Sequence, residues 1–230
     1  MENLLLLHGA IGSKNQFVEL SKSLQNDFNV YSFNFTGHGG EPMPDEPFSI
    51  ELFANDVLDW MSKNNFTLIN IFGYSMGGYV GMYLAKHHPE KINKLFTVAT
   101  KYEWNKSISE REIKLLNAEK IENKIPAFAK LLADRHTSEN WKIVLNKTAE
   151  MLQKMGIDNP LNSDDYLAIE IPVTVAVGDR DSTVSIDETT AVYRKLENAR
   201  LLILPNVKHP FEDIPLTRLS FEIKSFFHEK

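Results

Sequence analysis

The chain has 230 residues, 43% of them hydrophobic, which is enough to bury one well-packed core. Its 31 Asp and Glu outnumber its 25 Lys and Arg, giving a net charge of -6 without any basic run, so the composition argues against a nucleic-acid partner. The absence of cysteine excludes disulfide bonds, thiol chemistry and the cysteine ligands of structural zinc sites, and it fits a cytoplasmic protein best.

The first apolar run covers residues 4–7. It follows Glu2 and ends at His8 and Gly9, so it lacks the basic flank and the length of a signal peptide. The run is too apolar for a strand that has one face in water. We therefore predict a buried strand at the start of the chain and a cytoplasmic location.

Five more short apolar runs follow, and together the six predict the strands of one sheet. They cover residues 4–7, 30–35, 68–72, 95–99, 173–177 and 201–204. Continuous apolar runs of this kind are typical of parallel strands covered on both faces. Amphipathic segments at residues 16–25, 50–61, 76–86 and 186–196 predict helices between them, with Ser49 as an N-cap. The alternation predicts an α/β fold with a doubly wound, mostly parallel sheet and right-handed crossovers.

Residues 101–161 break this alternation because they contain only helical patterns. We predict a single domain of residues 1–230 in which this stretch is an inserted helical cap. The cap is expected to lie over the carboxyl edge of the sheet and to control entry there. The sequence leaves open whether Trp104, Phe128 and Trp141 form the cap's own core or line a pocket. The chain shows no internal repeat, low-complexity tract or transmembrane run.

The stretch Gly73-Tyr74-Ser75-Met76-Gly77 stands where the third predicted strand runs directly into a helix. Small residues two before and two after a serine permit the tight, strained turn called a nucleophile elbow. The alternative is a glycine-rich turn of a nucleotide-binding fold, but the G-x-G-x-x-G spacing and the acidic residue for the ribose are missing. We therefore predict that Ser75 is a catalytic nucleophile.

A nucleophilic serine needs a base, usually an imidazole that a carboxylate orients. His209 follows the last predicted strand on a loop, at the edge of the sheet where Ser75 also leaves its strand. Asp179 and Asp181 follow the strand at residues 173–177, so either could orient His209. A metal site is disfavoured because no second ligand cluster stands nearby in sequence. Other histidines are predicted at a helix end, in the helical insertion or in the terminal tail: His87, His88, His136 and His228.

Acyl transfer also needs two backbone N–H donors for the negative oxygen of a tetrahedral intermediate. The amide of Met76 stands at the N-terminus of the predicted helix, a position that favours an anion. The second donor is expected in the turn after the first strand. Ala10 is the predicted donor, with Ile11 in reserve.

Five motifs of this chain together resemble those of the α/β-hydrolase superfamily. They are HGAIGS at residues 8–13, FTGHGG at 35–40, GYSMGG at 73–78, GDRD at 178–181 and KHPFED at 208–213, in the family's order. The resemblance implies a serine hydrolase with Ser75 as nucleophile, His209 as base and Asp181 as the acid, using no cofactor and no metal. Asn34 stands where many relatives carry Asp, and we expect this departure to affect loop packing more than chemistry.

The function that this resemblance implies is hydrolysis of a small or medium ester, thioester or lactone through an acyl-enzyme. Relatives with this motif set also include lyases, carbon–carbon bond hydrolases and hormone receptors, so fold and triad do not fix the substrate. Two alternatives therefore stay open: lyase or carbon–carbon bond hydrolase chemistry on the same triad, as in menaquinone-pathway relatives, and ligand binding without turnover. The expected partner is a small molecule, and the expected assembly is a monomer or a homodimer.

Overall fold

The computed structural model describes residues 1–137 and 140–229. Six parallel strands form one sheet, which confirms the predicted fold class, and their order is β2-β1-β3-β4-β5-β6. The strands are β1 (Glu2–Leu7), β2 (Phe28–Ser32), β3 (Ile69–Tyr74), β4 (Ile92–Val98), β5 (Val173–Gly178) and β6 (Ala199–Leu204). The strand order reverses between β1 and β3, and ligands of open α/β sheets bind at the carboxyl ends of the strands beside such a reversal.

Nine α-helices lie within the described residues. They are α1 (Val18–Leu24), α2 (Ile50–Lys63), α3 (Met76–His87), α4 (Lys106–Ile113), α5 (Ala118–Lys124), α6 (Pro126–His136), α7 (Trp141–Met155), α8 (Ile186–Tyr193) and α9 (Leu216–His228). The predicted N-cap of α2 is confirmed, because the Ser49 hydroxyl accepts the N–H of Leu52 at 3.0 Å. None of the helices in the described ranges is long and apolar enough to cross a membrane.

The helices cover the sheet on both faces. Helices α2, α3 and α8 bury their apolar stripes against one face, where Phe53 and Val80 lie in the core. Helices α1 and α9 cover the other face, with Leu20 and Ile223 in a second core. Strands β3 and β5 are buried along their whole length, while the edge strands β2 and β6 are mostly half-buried. This burial explains why the central strands have continuous apolar sequences.

The second strand ends earlier than its sequence predicts. It stops at Ser32 instead of residue 35, because the chain beyond it turns toward the loop after β1. The Asn34 side chain accepts the N–H of Lys14 at 2.8 Å and donates to the carbonyl of Gly39 at 3.2 Å. Asn34 thus joins two loops at the carboxyl edge of the sheet.

The end of the chain also differs from the prediction. The sequence predicts a terminal tail at His228, but this residue is the last of α9, and its ring centroid lies 4.8 Å from that of Phe28. Helix α9 forms because Leu219, Ile223 and Phe227 recur at helical spacing and bury one face against the sheet.

Helices α4–α7 all lie between β4 and β5, in the stretch predicted to be helical. Helix α4 packs on α7, and α5 packs on α6. Three of these helices, α5, α6 and α7, share a small core of their own that is separate from the two cores of the sheet. Its buried members are Ile121, Ala129, Leu132, Trp141 and Leu145.

Candidate active site

Ser75 lies between the end of β3 and the start of α3, on a turn that has no room for side chains at its two flanking glycines. A Cβ on Gly77 would come within 2.2 Å of the carbonyl oxygen of Leu7, and one on Gly73 within 2.5 Å of the nitrogen of Gly78. The backbone of Ser75 itself has φ 51° and ψ -118°, a conformation that residues other than glycine rarely adopt. The sequence of the turn therefore selects the strained geometry that presents the Ser75 hydroxyl above the sheet.

His209 lies on the loop after β6, where its ring reaches both Ser75 and Asp181. Its Nε2 is 3.5 Å from the Oγ of Ser75, and its Nδ1 is 2.8 Å from Oδ2 of Asp181. The Asp181 side chain is fully buried, and its other oxygen accepts the N–H groups of Thr183 and Val184, each at 2.8 Å. When Nδ1–H donates to Asp181, the lone pair of Nε2 is free to face the serine. The distance of 3.5 Å between Nε2 of His209 and Oγ of Ser75 is long for a hydrogen bond. Such catalytic contacts often shorten when substrate binds.

Asp179, the other candidate carboxylate, faces a different way. Its Oδ1 accepts the N–H of Asn206 at 2.6 Å and lies 3.9 Å from Nε of Arg180. Both contacts shape the turn at the end of β5. Of the two aspartates, Asp181 is the one that contacts His209 in the described part of the chain.

Tyr74, the residue before the serine, supports the His209 loop. Its hydroxyl donates to the backbone carbonyl of His209 at 3.1 Å, and the side chain is 7% exposed. Burial raises the pKa of the Tyr74 hydroxyl, so the hydroxyl keeps the proton that it donates. The sequence predicted no role for Tyr74, because the residue at this position of the elbow is variable in the motif.

The loop after β1 passes directly beside Ser75. A Cβ on Gly9 would lie 2.9 Å from Cε1 of Tyr74 and 3.1 Å from the Cβ of Ser75, so a larger residue there would crowd both side chains. The N–H of Gly12 donates to the carbonyl of Gly9 at 3.0 Å and closes a turn that contains Ala10. Ala10 and Met76 line the same cavity as Ser75, and neither amide N–H donates to another group within residues 1–137 and 140–229. Two such N–H groups could bind a developing oxyanion.

Three fully buried histidines, His8, His38 and His136, pack behind this loop. Burial disfavours the charged imidazolium, so it lowers the pKa of His8 to about 3 and that of His136 to about 4. It also holds the pKa of His38 well below its usual value. The rings of His8 and His38 lie 5.3 Å apart between centroids. These residues are neutral polar packing groups at neutral pH.

A cavity of about 350 Å³ opens above Ser75 and His209. The stretch between β4 and β5 supplies much of its wall, largely with apolar side chains. They include Trp104, Leu116, Phe128, Leu131, Met151, Leu152 and Met155. Trp141 is instead 4% exposed within the core shared by α5, α6 and α7. Of the three aromatic residues that the sequence left open, Trp104 and Phe128 line the cavity and Trp141 belongs to the cap's own core.

Two basic side chains reach the cavity, and each has an acidic partner. Lys101 donates to Glu188 at 3.1 Å and to the carbonyl of Thr183 at 3.0 Å, and the two charged side chains are 7% and 5% exposed. Nη2 of Arg135 lies 3.6 Å from Oε1 of Glu212. Neither pair has a signal in the sequence, because each joins residues far apart in the chain. In the described ranges, no group of three or more His, Asp or Glu side chains could hold a metal ion.

Comparison with known proteins relates this chain to a family and to several named proteins. A family model described as alpha/beta hydrolase fold matches residues 2–117, half of the chain. The chain is similar to a pimeloyl-[acyl-carrier protein] methyl ester esterase of Neisseria meningitidis, with 32% identity over 100 residues that cover 44% of this chain and 37% of that protein. It is also similar to a probable alcohol acetyltransferase of Cyberlindnera jadinii, with 28% identity over 94 residues that cover 40% and 27%. The chain thus matches about a third of the length of these curated relatives.

Solved structures resemble the whole chain. A hydrolase from Pseudomonas aeruginosa superposes with a TM-score of 0.81 at 18% identity, covering 99% of this chain and 91% of the other. An enol-lactonase from Burkholderia xenovorans superposes with a TM-score of 0.80 at 18% identity, covering 99% and 92%. At this level of identity the likeness shows a shared fold.

Proposed function

Because the chain belongs to the α/β-hydrolase fold family, we propose that it is a serine hydrolase that cleaves a small or medium carboxylic ester, thioester or lactone through an acyl-enzyme. The observation that carries this proposal is the line from Ser75 through His209 to Asp181, with contacts of 3.5 Å and 2.8 Å. The similarity to the Neisseria esterase and to the Burkholderia enol-lactonase supports an ester-type bond as the target.

In the acylation step, Nε2 of His209 takes the proton of Ser75 while Oγ bonds to the carbonyl carbon of the substrate. The carbonyl oxygen becomes negative and accepts the N–H groups of Ala10 and Met76. The bond to the leaving oxygen or sulfur then breaks, and His209 gives its proton to the leaving group. The acyl group remains on Ser75.

Deacylation repeats these steps with water as the nucleophile. His209 takes a proton from water, the hydroxyl adds to the acyl carbon, and the proton returns to Oγ of Ser75 as the carboxylic acid leaves. Asp181 stabilises the imidazolium of His209 in both half-reactions and fixes the ring so that Nε2 faces the serine. Its buried position and its two backbone N–H donors hold this orientation.

The cavity fits an apolar acyl group. Its volume of about 350 Å³ is near the lower end for ligand pockets, and its wall is largely aliphatic and aromatic. Lys101 and Arg135, the basic groups that reach it, have acidic partners. We therefore propose an uncharged acyl group of small or medium size, bound under the cap of residues 101–161 within a single domain of residues 1–230.

Hydrolysis of p-nitrophenyl esters tests the proposed function. The wild type is expected to release p-nitrophenol from short acyl esters in the presence of a metal chelator, and Ser75→Ala is expected to remove this activity without changing the circular dichroism spectrum. Ser23→Ala, on α1 and remote from the cavity, serves as the matched control. Undiminished turnover by folded Ser75→Ala would overturn the assignment of the nucleophile.

A series of acyl chain lengths separates the two alternative functions from this one. A lyase or a carbon–carbon bond hydrolase on the same triad would turn over none of the esters while keeping a reactive Ser75. A ligand-binding protein would show neither turnover nor reactivity of Ser75 toward a serine-directed probe. A clear optimum of kcat/KM among short and medium acyl esters supports hydrolysis.

A further inference from the structure

The backbone carbonyl of Ile11, in the loop beside Ser75, is held by two adjacent residues of the cap. Nη1 of Arg135 donates to this oxygen at 2.9 Å, and Nε2 of His136 lies 2.8 Å from it. Both residues stand at the end of α6, about 125 positions further along the chain. The carbonyl is thus the point where the cap is bonded to the loop that carries Ala10.

The contacts of His136 fix which nitrogen carries the proton. Nδ1 accepts the N–H of Gly39 at 3.0 Å, so in the neutral ring Nε2 carries the hydrogen and donates it to Ile11. Burial keeps the ring neutral, because it lowers the pKa of His136 to about 4. Arg135 is also largely buried, with 11% of its side chain exposed. Packing therefore restricts both donor side chains, in addition to their hydrogen bonds to the carbonyl of Ile11.

Ile11 adopts a backbone conformation that it would not keep by itself. Its φ is 52°, in the left-handed region, and it is β-branched. For an L residue this region is less populated than the right-handed one by a factor of about 5 to 30. The turn closed between Gly9 and Gly12 contains both Ala10 and Ile11. A change in the backbone of Ile11 would open this turn and so displace the Gly9–Ala10 peptide, which carries the Ala10 N–H.

We propose that Arg135 and His136 are positioning residues that hold the Ile11 carbonyl and thereby align the Ala10 amide for the oxyanion. The inference rests on the proposed function, since it concerns the oxyanion donors of that reaction. Neither residue needs to touch the reacting atoms. Alignment of the oxyanion donor and docking of α6 on the sheet domain are then one event, so the site is complete only when the cap is in place.

A double-mutant cycle between His136 and Ile11 tests this proposal. His136→Ala should lower kcat for a p-nitrophenyl ester roughly 5- to 30-fold, the ratio by which isoleucine disfavours the left-handed region, and leave KM within about twofold. Glycine adopts positive φ without this penalty. In an Ile11→Gly background, His136→Ala should therefore lower kcat by less than about twofold. Affinity for a phenylboronic acid, whose serine adduct mimics the tetrahedral intermediate, should fall in parallel with kcat.

Equal losses of kcat in the two backgrounds, or no loss in either, would overturn the proposal. If His136→Ala does not fold, Arg135→Met completes the same cycle, because it removes the other donor to Ile11. Lys147→Met is the matched control, since Lys147 also bonds the cap to the sheet domain, through the carbonyl of Glu46 at 2.8 Å, but does not contact the loop. It should leave kcat unchanged.

The result also distinguishes this inference from the proposed function. If Ser75→Ala is inactive while His136→Ala and Arg135→Met keep the full kcat, only the positioning role is wrong. If Ser75→Ala keeps its turnover, the proposed function is wrong whatever the cycle shows.

Discussion

The two aspartates after β5 differ in one contact, and that contact decides which of them can orient His209. Asp181 contacts His209 and is buried, whereas Asp179 binds a backbone amide of the turn. We predict that Asp181→Asn lowers ester turnover by about 10⁴, because the amide no longer holds the correct tautomer or stabilises the imidazolium. Asp179→Asn should cost far less. The measurement is kcat for both variants, with circular dichroism to confirm folding. A folded Asp179→Asn that is inactive beside an active Asp181→Asn would reverse the assignment.

Ser75, His209 and the pair Asp179 and Asp181 could be placed at one edge of the sheet from the sequence, because each follows a predicted strand where parallel strands end. The prediction of Asp181 over Asp179 comes from the family resemblance. The distances between these side chains then depend on loops whose ends the sheet already fixes. His136 offered no such signal. It is one histidine at the end of α6, and its partners Ile11 and Gly39 lie about a hundred positions away in the chain. Contacts between distant surfaces depend on how the cap docks, which local patterns do not encode.

Among the elements, the helices between β4 and β5 divide their side chains between a small core and the wall of the cavity. Trp141 lies in the cap's own core, while Phe128 lines the cavity. We predict that Trp141→Ala destabilises the protein by about 3–5 kcal/mol through the cavity that it leaves, and that it leaves the order of preference among acyl chains unchanged. Phe128→Ala should do the reverse, with a small loss of stability and a shift toward longer chains. Thermal unfolding and a chain-length series measure both effects. A wild-type stability for Trp141→Ala would contradict its place in that core.

Helix and strand types followed from the sequence, but some boundaries did not. The apolar run at residues 30–35 continues past the end of β2, because Phe35 donates its N–H to the ring of His8 instead of extending the sheet. That acceptor is a side chain, which strand patterns cannot reveal. Helix α9, by contrast, has a signal in the spacing of its buried apolar residues, and the prediction of a tail at His228 does not use that signal.

For the whole molecule, the three buried histidines make stability depend on pH. Their folded-state pKa values lie below the ordinary 6.5, at about 3 for His8 and about 4 for His136, with His38 also well below 6.5. Between about pH 4 and 6.5 the unfolded chain therefore binds more protons than the folded one, so stability is full above about pH 6.5 and falls as pH decreases. For each histidine that stays neutral in the folded protein, the free energy of unfolding falls by about 1.4 kcal/mol per pH unit in that range.

The free energy of unfolding in urea should thus fall by on the order of 4 kcal/mol between pH 7.5 and 5.5. His38→Phe should reduce this fall by about a third, since one of the three titrating groups is removed while an aromatic ring still faces Phe48. His88→Gln, at a half-exposed histidine, is the control and should leave the fall unchanged. A stability that is constant over this range would show that the three rings are not neutral in the folded protein.

The proposed function depends on Ser75 being a reactive nucleophile. This reactivity is measured directly by the intact mass and peptide map of the protein after reaction with a fluorophosphonate, which phosphonylates an activated serine hydroxyl. We predict a single adduct on Ser75, rapid formation of that adduct in the wild type, and none in folded Ser75→Ala. An unlabelled wild type, or an adduct that persists in Ser75→Ala, would contradict it.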